Sequence, residues 1–206
     1  HRRVEAWKWS DLKVAAAKAV PSRGAADALD TNGFCVIDFA AAAGGEAVNL
    51  PDGVTLSVEA SAPDPDEPHA VADLACALSS AVVRLDVTER VEQPVVVVYD
   101  SDAAISAARL DVRVAPDAAL TLVEHHRGAG FAARLTTFEV GEGAELERLV
   151  LEDEGESAVS VKLARGALSK TARYGECGLA FGSRLARREI HRSEERRVGK
   201  ECPSPC

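Results

Sequence analysis

The sequence predicts a mainly β fold, a β-helix behind a small mixed α/β region, and three observations predict it. From residue 81 onward, short alternating stretches of strand length follow one another. Turn residues separate them at regular intervals. A faint repeat runs through them with a period that suits the coils of a solenoid.

The strands are read in order. Val82-Val83-Arg84-Leu85-Asp86-Val87 and Pro94-Val95-Val96-Val97-Val98-Tyr99 come first, the second apolar on both faces and therefore central. Alternating strands follow over residues 108–114, 119–124, 134–140, 145–151 and 159–163. Pro116-Asp117, Gly128-Ala129-Gly130, Gly141-Glu142-Gly143 and Glu154-Gly155 mark the turns between them. Val114-x-x-x-Ala118-x-Leu120 recurs as Val140-x-x-x-Ala144-x-Leu146, and Leu163-x-x-x-Ala167 repeats the first half. A coil of this kind buries its apolar face only by stacking on the next. A β-sandwich with similar turns is the alternative.

Residues 1–80 read as a separate helical and mixed α/β region. Ser10-Asp11-Leu12 can cap a helix over residues 14–20, and a shorter alanine-rich piece covers 25–29. Phe34-Cys35-Val36-Ile37-Asp38-Phe39 is an apolar strand, and Val54, Leu56 and Val58 share one face of another. Residues 61–68 form an acidic, proline-rich linker. A helix follows over 70–80, with His69 at its start as a solvated residue near the cap.

A chain of 206 residues can bury about 70% of its unfolded surface, enough for one domain with a sizeable core. The formal charge of −9 and pI near 5.1 argue against a nucleic-acid or anionic-membrane surface. No apolar run approaches the roughly 20 residues that would span a bilayer. Cys35, Cys76 and Cys177 are far apart, form no zinc or disulfide pattern, and read as small buried hydrophobes of a cytoplasmic protein.

The two ends set expectations of their own. The chain has no methionine and opens on His1-Arg2-Arg3, as a fragment would. The run from Arg192 to Cys202 resembles the translation of a short-read sequencing adapter, so residues 192–206 are expected to be non-native and the natural sequence to end near His191. The predicted core is therefore residues 81–191, truncated.

Few residues invite chemistry. Glu124 and His126 would share a strand face, the only local carboxylate–imidazole pair, with His125 on the other; a solvated strand end is the reading preferred. The carboxylates Glu142, Glu145, Glu147, Glu152, Asp153, Glu154 and Glu156 could line a polysaccharide cleft, but Glu145 and Glu147 flank Leu146 and describe a wet face, and several others fall in turns. Gly141-Glu142-Gly143 lacks the helix and lysine of a phosphate loop. Cys177 has no cationic neighbour to activate it. No catalytic, cofactor-binding or metal-binding residue is assigned.

Three segments carry a family likeness. Arg2-Arg3-Val4-Glu5-Ala6-Trp7-Lys8-Trp9-Ser10-Asp11-Leu12 resembles the opening of the SufB/SufD family of iron–sulfur cluster assembly proteins, with Trp9 where a tyrosine is usual. Val140-Gly141-Glu142-Gly143-Ala144-Glu145-Leu146 is similar to that family's recurrent rung, and Leu179 to His191 resembles one of its coils. The opening favours the SufD branch.

The resemblance implies a right-handed parallel β-helix that is not an enzyme. It implies a scaffold subunit that pairs with a SufB-like paralogue and a SufC-like ATPase; the acidic charge already argues for no nucleic-acid and no membrane partner. The full assembly would handle iron–sulfur clusters, with no cofactor held by this fragment. The family's interface Cys/His stretch and C-terminal helical domain would lie beyond His191, so no functional residue carries over. A carbohydrate-active β-helix enzyme and a generic β-rich interaction domain are the alternatives. A left-handed hexapeptide helix is disfavoured by the observed spacing.

Overall fold

The computed structural model describes residues 33–63, 68–101 and 103–194. The Trp-Lys-Trp opening, the helices expected over 14–20 and 25–29, part of the proline-rich linker and most of the tail lie outside them.

Among the described residues, eleven strands and two helices follow in the order β1 (Cys35–Asp38), α1 (Phe39–Ala43), β2 (Val54–Ala60), α2 (Ala70–Leu78), β3 (Ala81–Val87), β4 (Val95–Ser101), β5 (Ile105–Val114), β6 (Ala119–Gly128), β7 (Phe131–Val140), β8 (Glu145–Glu154), β9 (Val159–Leu168), β10 (Arg173–Gly182) and β11 (Leu185–Glu194). One sheet runs β1-β4-β6-β8-β10 and the other β11-β9-β7-β5-β3-β2. All pairs are parallel except β2 with β3. From β3 on, consecutive strands alternate between the sheets, which makes a parallel β-helix of about four turns and excludes the sandwich.

The register explains the repeat. Val87, Val114, Val140 and Leu168 stack in one ladder. The third copy is therefore Leu168-x-x-x-Ala172-x-Tyr174, five residues beyond the predicted Leu163-x-x-x-Ala167. Gly128 pairs with Glu154 and Phe131 with Val159, so the corner that holds Ala129 and Gly130 in one coil holds residues 155–158 in the next. Two extra residues in that corner break the simple period.

Each coil also turns the same way after that ladder. Asp117, Gly143 and Thr171 occupy equivalent corner positions, all with φ between 60 and 70°. Such a left-handed residue redirects the chain into the other sheet, and glycine adopts it without the steric cost that a Cβ brings. Ala118 and Ala144 follow it, almost fully buried, where a larger side chain would push the coils apart.

The strands are longer than their alternation shows. Each from β5 to β11 has ten residues. At the amino-terminal side, the strand expected over 34–39 stops early because the Asp38 carboxylate accepts the Ala41 N–H at 2.9 Å and caps α1. The predicted helix at 70 is α2, and His69 is its N-cap, its Nδ1 accepting from the Val71 N–H. Val71, Ala72 and Ala75 pack α2 onto Phe131, Ala133, Leu135, Val159, Val161 and Leu163, the outward side chains of β7 and β9. Among the described residues no helix is long and apolar enough to cross a membrane.

Candidate functional site

The inside of the β-helix is not uniform. Its first coils are filled by Val83, Leu85, Val95, Val97, Leu110, Val112 and Leu122, each 1% exposed or less. Burying a leucine or valine this completely is worth about 1.5–3 kcal/mol per side chain. Along the same ladders the chemistry then changes. Cys35, Val95 and Leu122 are followed by Arg148 and Glu176. Ile37 and Val97 are followed by Glu124, and Ala108 by Arg134, Lys162 and Arg188.

In the later coils a charged network lies inside beside Phe138, Val140, Leu146 and Leu168, which continue the apolar core. Arg148 Nε donates to Glu124 at 2.6 Å and its Nη1 to Glu176 at 2.7 Å. Thr136 donates its hydroxyl between the two Glu124 oxygens, at 3.2 and 3.0 Å. Lys162 sits 3.3 Å from Glu152 and 3.1 Å from Glu154, and also contacts the Ser160 hydroxyl. Four carboxyl groups (Glu124, Glu152, Glu154, Glu176) thus face four cationic ones (Arg134, Arg148, Lys162, Arg188), a balance that burial demands.

Aromatic rings complete the lining. Tyr99 stacks on His126 with centroids 4.6 Å apart, and the Arg134 guanidinium lies 5.5 Å from the Tyr99 ring. Phe138 stacks on Tyr174 at 4.5 Å, bridging the two sheets. That ring fits only because its ladder neighbour is Gly166: a Cβ there would stand 1.8 Å from Phe138 Cε2.

Burial sets the protonation of this interior. It drives His126 well below the usual imidazole value, with Lys162, Arg134 and Arg148 adding to the effect, so the ring is neutral. Neither of its nitrogens has a hydrogen-bond partner among the described residues, and Glu124 Oε2 lies 3.8 Å from Nε2. Burial also lifts the Tyr99 phenol well above its usual range, with Glu124 second, and lowers Arg134. For Arg148 burial opposes the charge, yet the adjoining Glu124 and then Glu176 raise the guanidinium above its ordinary value.

These positions correct several expectations. His125 and His126 are not a solvated strand end: both are about 2% exposed or less, on opposite faces as alternation required. Glu145 and Glu147 do lie toward solvent, but Glu152 and Glu154 are in β8 rather than a turn, and both are buried. Of the described cysteines only Cys35 is buried; Cys76 is half-buried and Cys177 exposed on β10. A phase argument could have found the network. Leu120 and Leu122 point inward, so a strand that continues must also send Glu124 and His126 inward.

The chemistry this interior supports is limited. Glu124 has its oxygens committed to Arg148 and Thr136, which leaves it a poor general base. Among the described residues no thiol stands with the charged group, since Cys35 belongs to the apolar end and Cys177 points outward. The acids converge, but on internal cations rather than on a cleft.

Residues 97–196 match the family model described as SUF system FeS cluster assembly, SufBD core domain. The match supports the SufB/SufD family. The matched stretch begins inside β4 and takes in all of β5 to β11, that is, both the end of the apolar interior and the whole charged one. No curated protein matches the chain.

Proposed function

We propose that the chain is a non-catalytic, SufD-like scaffold subunit of a cytoplasmic SUF-type assembly, working with a SufB-like paralogue and a SufC-like ATPase. The observation that carries the reading is the coincidence of the SufBD core match with the charged coils of the β-helix. The match supports involvement in iron–sulfur cluster assembly; the SufD-like role is favoured by the amino-terminal Trp-Lys-Trp likeness. The acids of a carbohydrate-active β-helix would have to face a substrate groove, whereas Glu124, Glu152 and Glu154 are buried and ion-paired.

Co-expression of the full chain with a SufB-like and a SufC-like protein tests this. Co-elution of all three as one soluble complex is the expected result. A chain that elutes alone in the presence of both partners overturns the scaffold role.

A further inference from the structure

We infer that the outer face of the second sheet carries a divalent transition-metal site formed by His69, Glu189 and His191. The residues are 120 apart in sequence at their widest hydrogen-bonded pair, and the fold brings them together. His69 stands at the N-cap of α2, which lies across β7 and β9. Glu189 and His191 are consecutive outward positions of β11, the next strand of that sheet.

The geometry is that of a ligand set. Glu189 Oε2 lies 3.2 Å from His69 Nε2 and 3.7 Å from His191 Nε2. One donor atom from each of the three falls within 4.8 Å of the others. Tetrahedral zinc with bonds of about 2.0–2.1 Å needs ligand atoms roughly 3.3 Å apart, so the two carboxylate–imidazole distances are already near that span and the exposed His191 ring is the one that must swing in to close the set. The two imidazoles meet edge to face at 5.3 Å, aimed at the shared carboxylate rather than stacked. The His191 side chain is 53% exposed, which gives an ion its way in and leaves the fourth position to solvent.

The neighbours select the metal. Arg187 Nε donates to Glu189 Oε1 at 2.6 Å, leaving Oε2 for the imidazoles. A cation beside a single carboxylate disfavours magnesium or calcium, which need several oxygens. A metal that bonds imidazole nitrogen, such as zinc, cobalt or ferrous iron, suits two histidines and one carboxylate. Capture has a structural cost. With Nδ1 accepting from Val71, neutral His69 carries its proton on Nε2; a metal there moves the proton to Nδ1 and releases that cap. Binding must outweigh one helix-cap bond.

The test is titration of the full chain, made without a polyhistidine tag, with Co²⁺ followed in the visible spectrum and with Zn²⁺ by calorimetry. One equivalent is expected, with the d–d bands of a four-coordinate ion and no thiolate-to-cobalt charge transfer. His191→Ala removes an exposed ring, Glu189→Gln the carboxylate, and His69→Asn the imidazole while keeping a side chain that caps helices well. Each should weaken binding by about tenfold or more, since losing a ligand costs at least what losing an outer-shell partner does. Metal-free melting of His191→Ala should match the parent. Absence of saturable binding, a thiolate band, or undiminished affinity in His191→Ala and His69→Asn would overturn the site.

Discussion

The two ends of the β-helix interior solve the same packing problem with different chemistry. Around Leu85, Val95 and Leu110 the coils are joined by apolar contact, which is tolerant in direction and forgiving of small shifts. Around Glu124, Arg148 and Lys162 they are joined by ion pairs and hydrogen bonds that work only when every partner is present. A ladder fixes position but not polarity: Val97 and Glu124 are adjacent rungs of one ladder, and both are almost fully buried.

Breaking the charged half one residue at a time should produce the largest effect. Glu124→Ala leaves the Arg148 guanidinium facing an empty place and should cost about 3–5 kcal/mol in denaturant unfolding. Replacing both partners, Glu124→Leu with Arg148→Met, should recover part of that loss, because an apolar pair of similar volume removes the desolvation penalty while Glu176 keeps Arg188 at 3.6 Å. Leu85→Ala in the apolar half should cost about 2–5 kcal/mol, with no second substitution able to restore it by removing a charge. If the double variant is no better than Glu124→Ala alone, the contrast between the two halves is wrong.

A smaller effect belongs to the boundary between them. Gly166→Ala drives a methyl group into the Phe138 ring and should destabilise by about 1–3 kcal/mol, read from the same unfolding curve. A weaker response in the Gly166→Ala, Phe138→Leu double variant would locate the strain in that ring.

The smallest effect is on pH dependence. Burial lowers the folded value of His126 below its ordinary 6.5, so the unfolded chain binds the proton more readily. Stability from this residue is therefore complete above about 6.5 and is lost as the pH falls below it, by at most about 1.4 kcal/mol per pH unit. Melting temperature between neutral and mildly acidic pH should fall less steeply in His126→Phe than in the parent. An unchanged slope would mean that His126 is not the group that feels the interior.

How much of this was legible depends on what a residue's neighbours say about it. Val114, Ala118 and Leu120 with Val140, Ala144 and Leu146 gave the coil and its corner, because small and apolar residues at fixed offsets have few other uses. The next coil hid itself by lengthening one corner. The charged interior was hidden for a different reason. The alternation ends at residue 151 and Glu154-Gly155 reads as a turn, so Glu152 and Glu154 fall outside the expected strand; its full ten-residue length carries the inward phase of Leu146 on to both, where they meet Lys162. His69 with Glu189 and His191 was beyond reach, since a helix laid across the sheet sets that meeting and no local spacing records it.

The constant register has a consequence for how the molecule forms. Val87, Val114, Val140 and Leu168 are neighbours in space at nearly equal separations along the chain, so every coil closes a loop of about the same size. The entropy of closing such a loop changes only slowly with its length, roughly as its logarithm. The first coil to close has no surface to settle on and carries the whole cost. Each later one lands on a finished template and repeats the same step. Assembly then runs as a zipper with one slow start, and its speed is set by where that start lies rather than by the number of coils. The apolar coils, whose side chains need no particular partner, are the place for it.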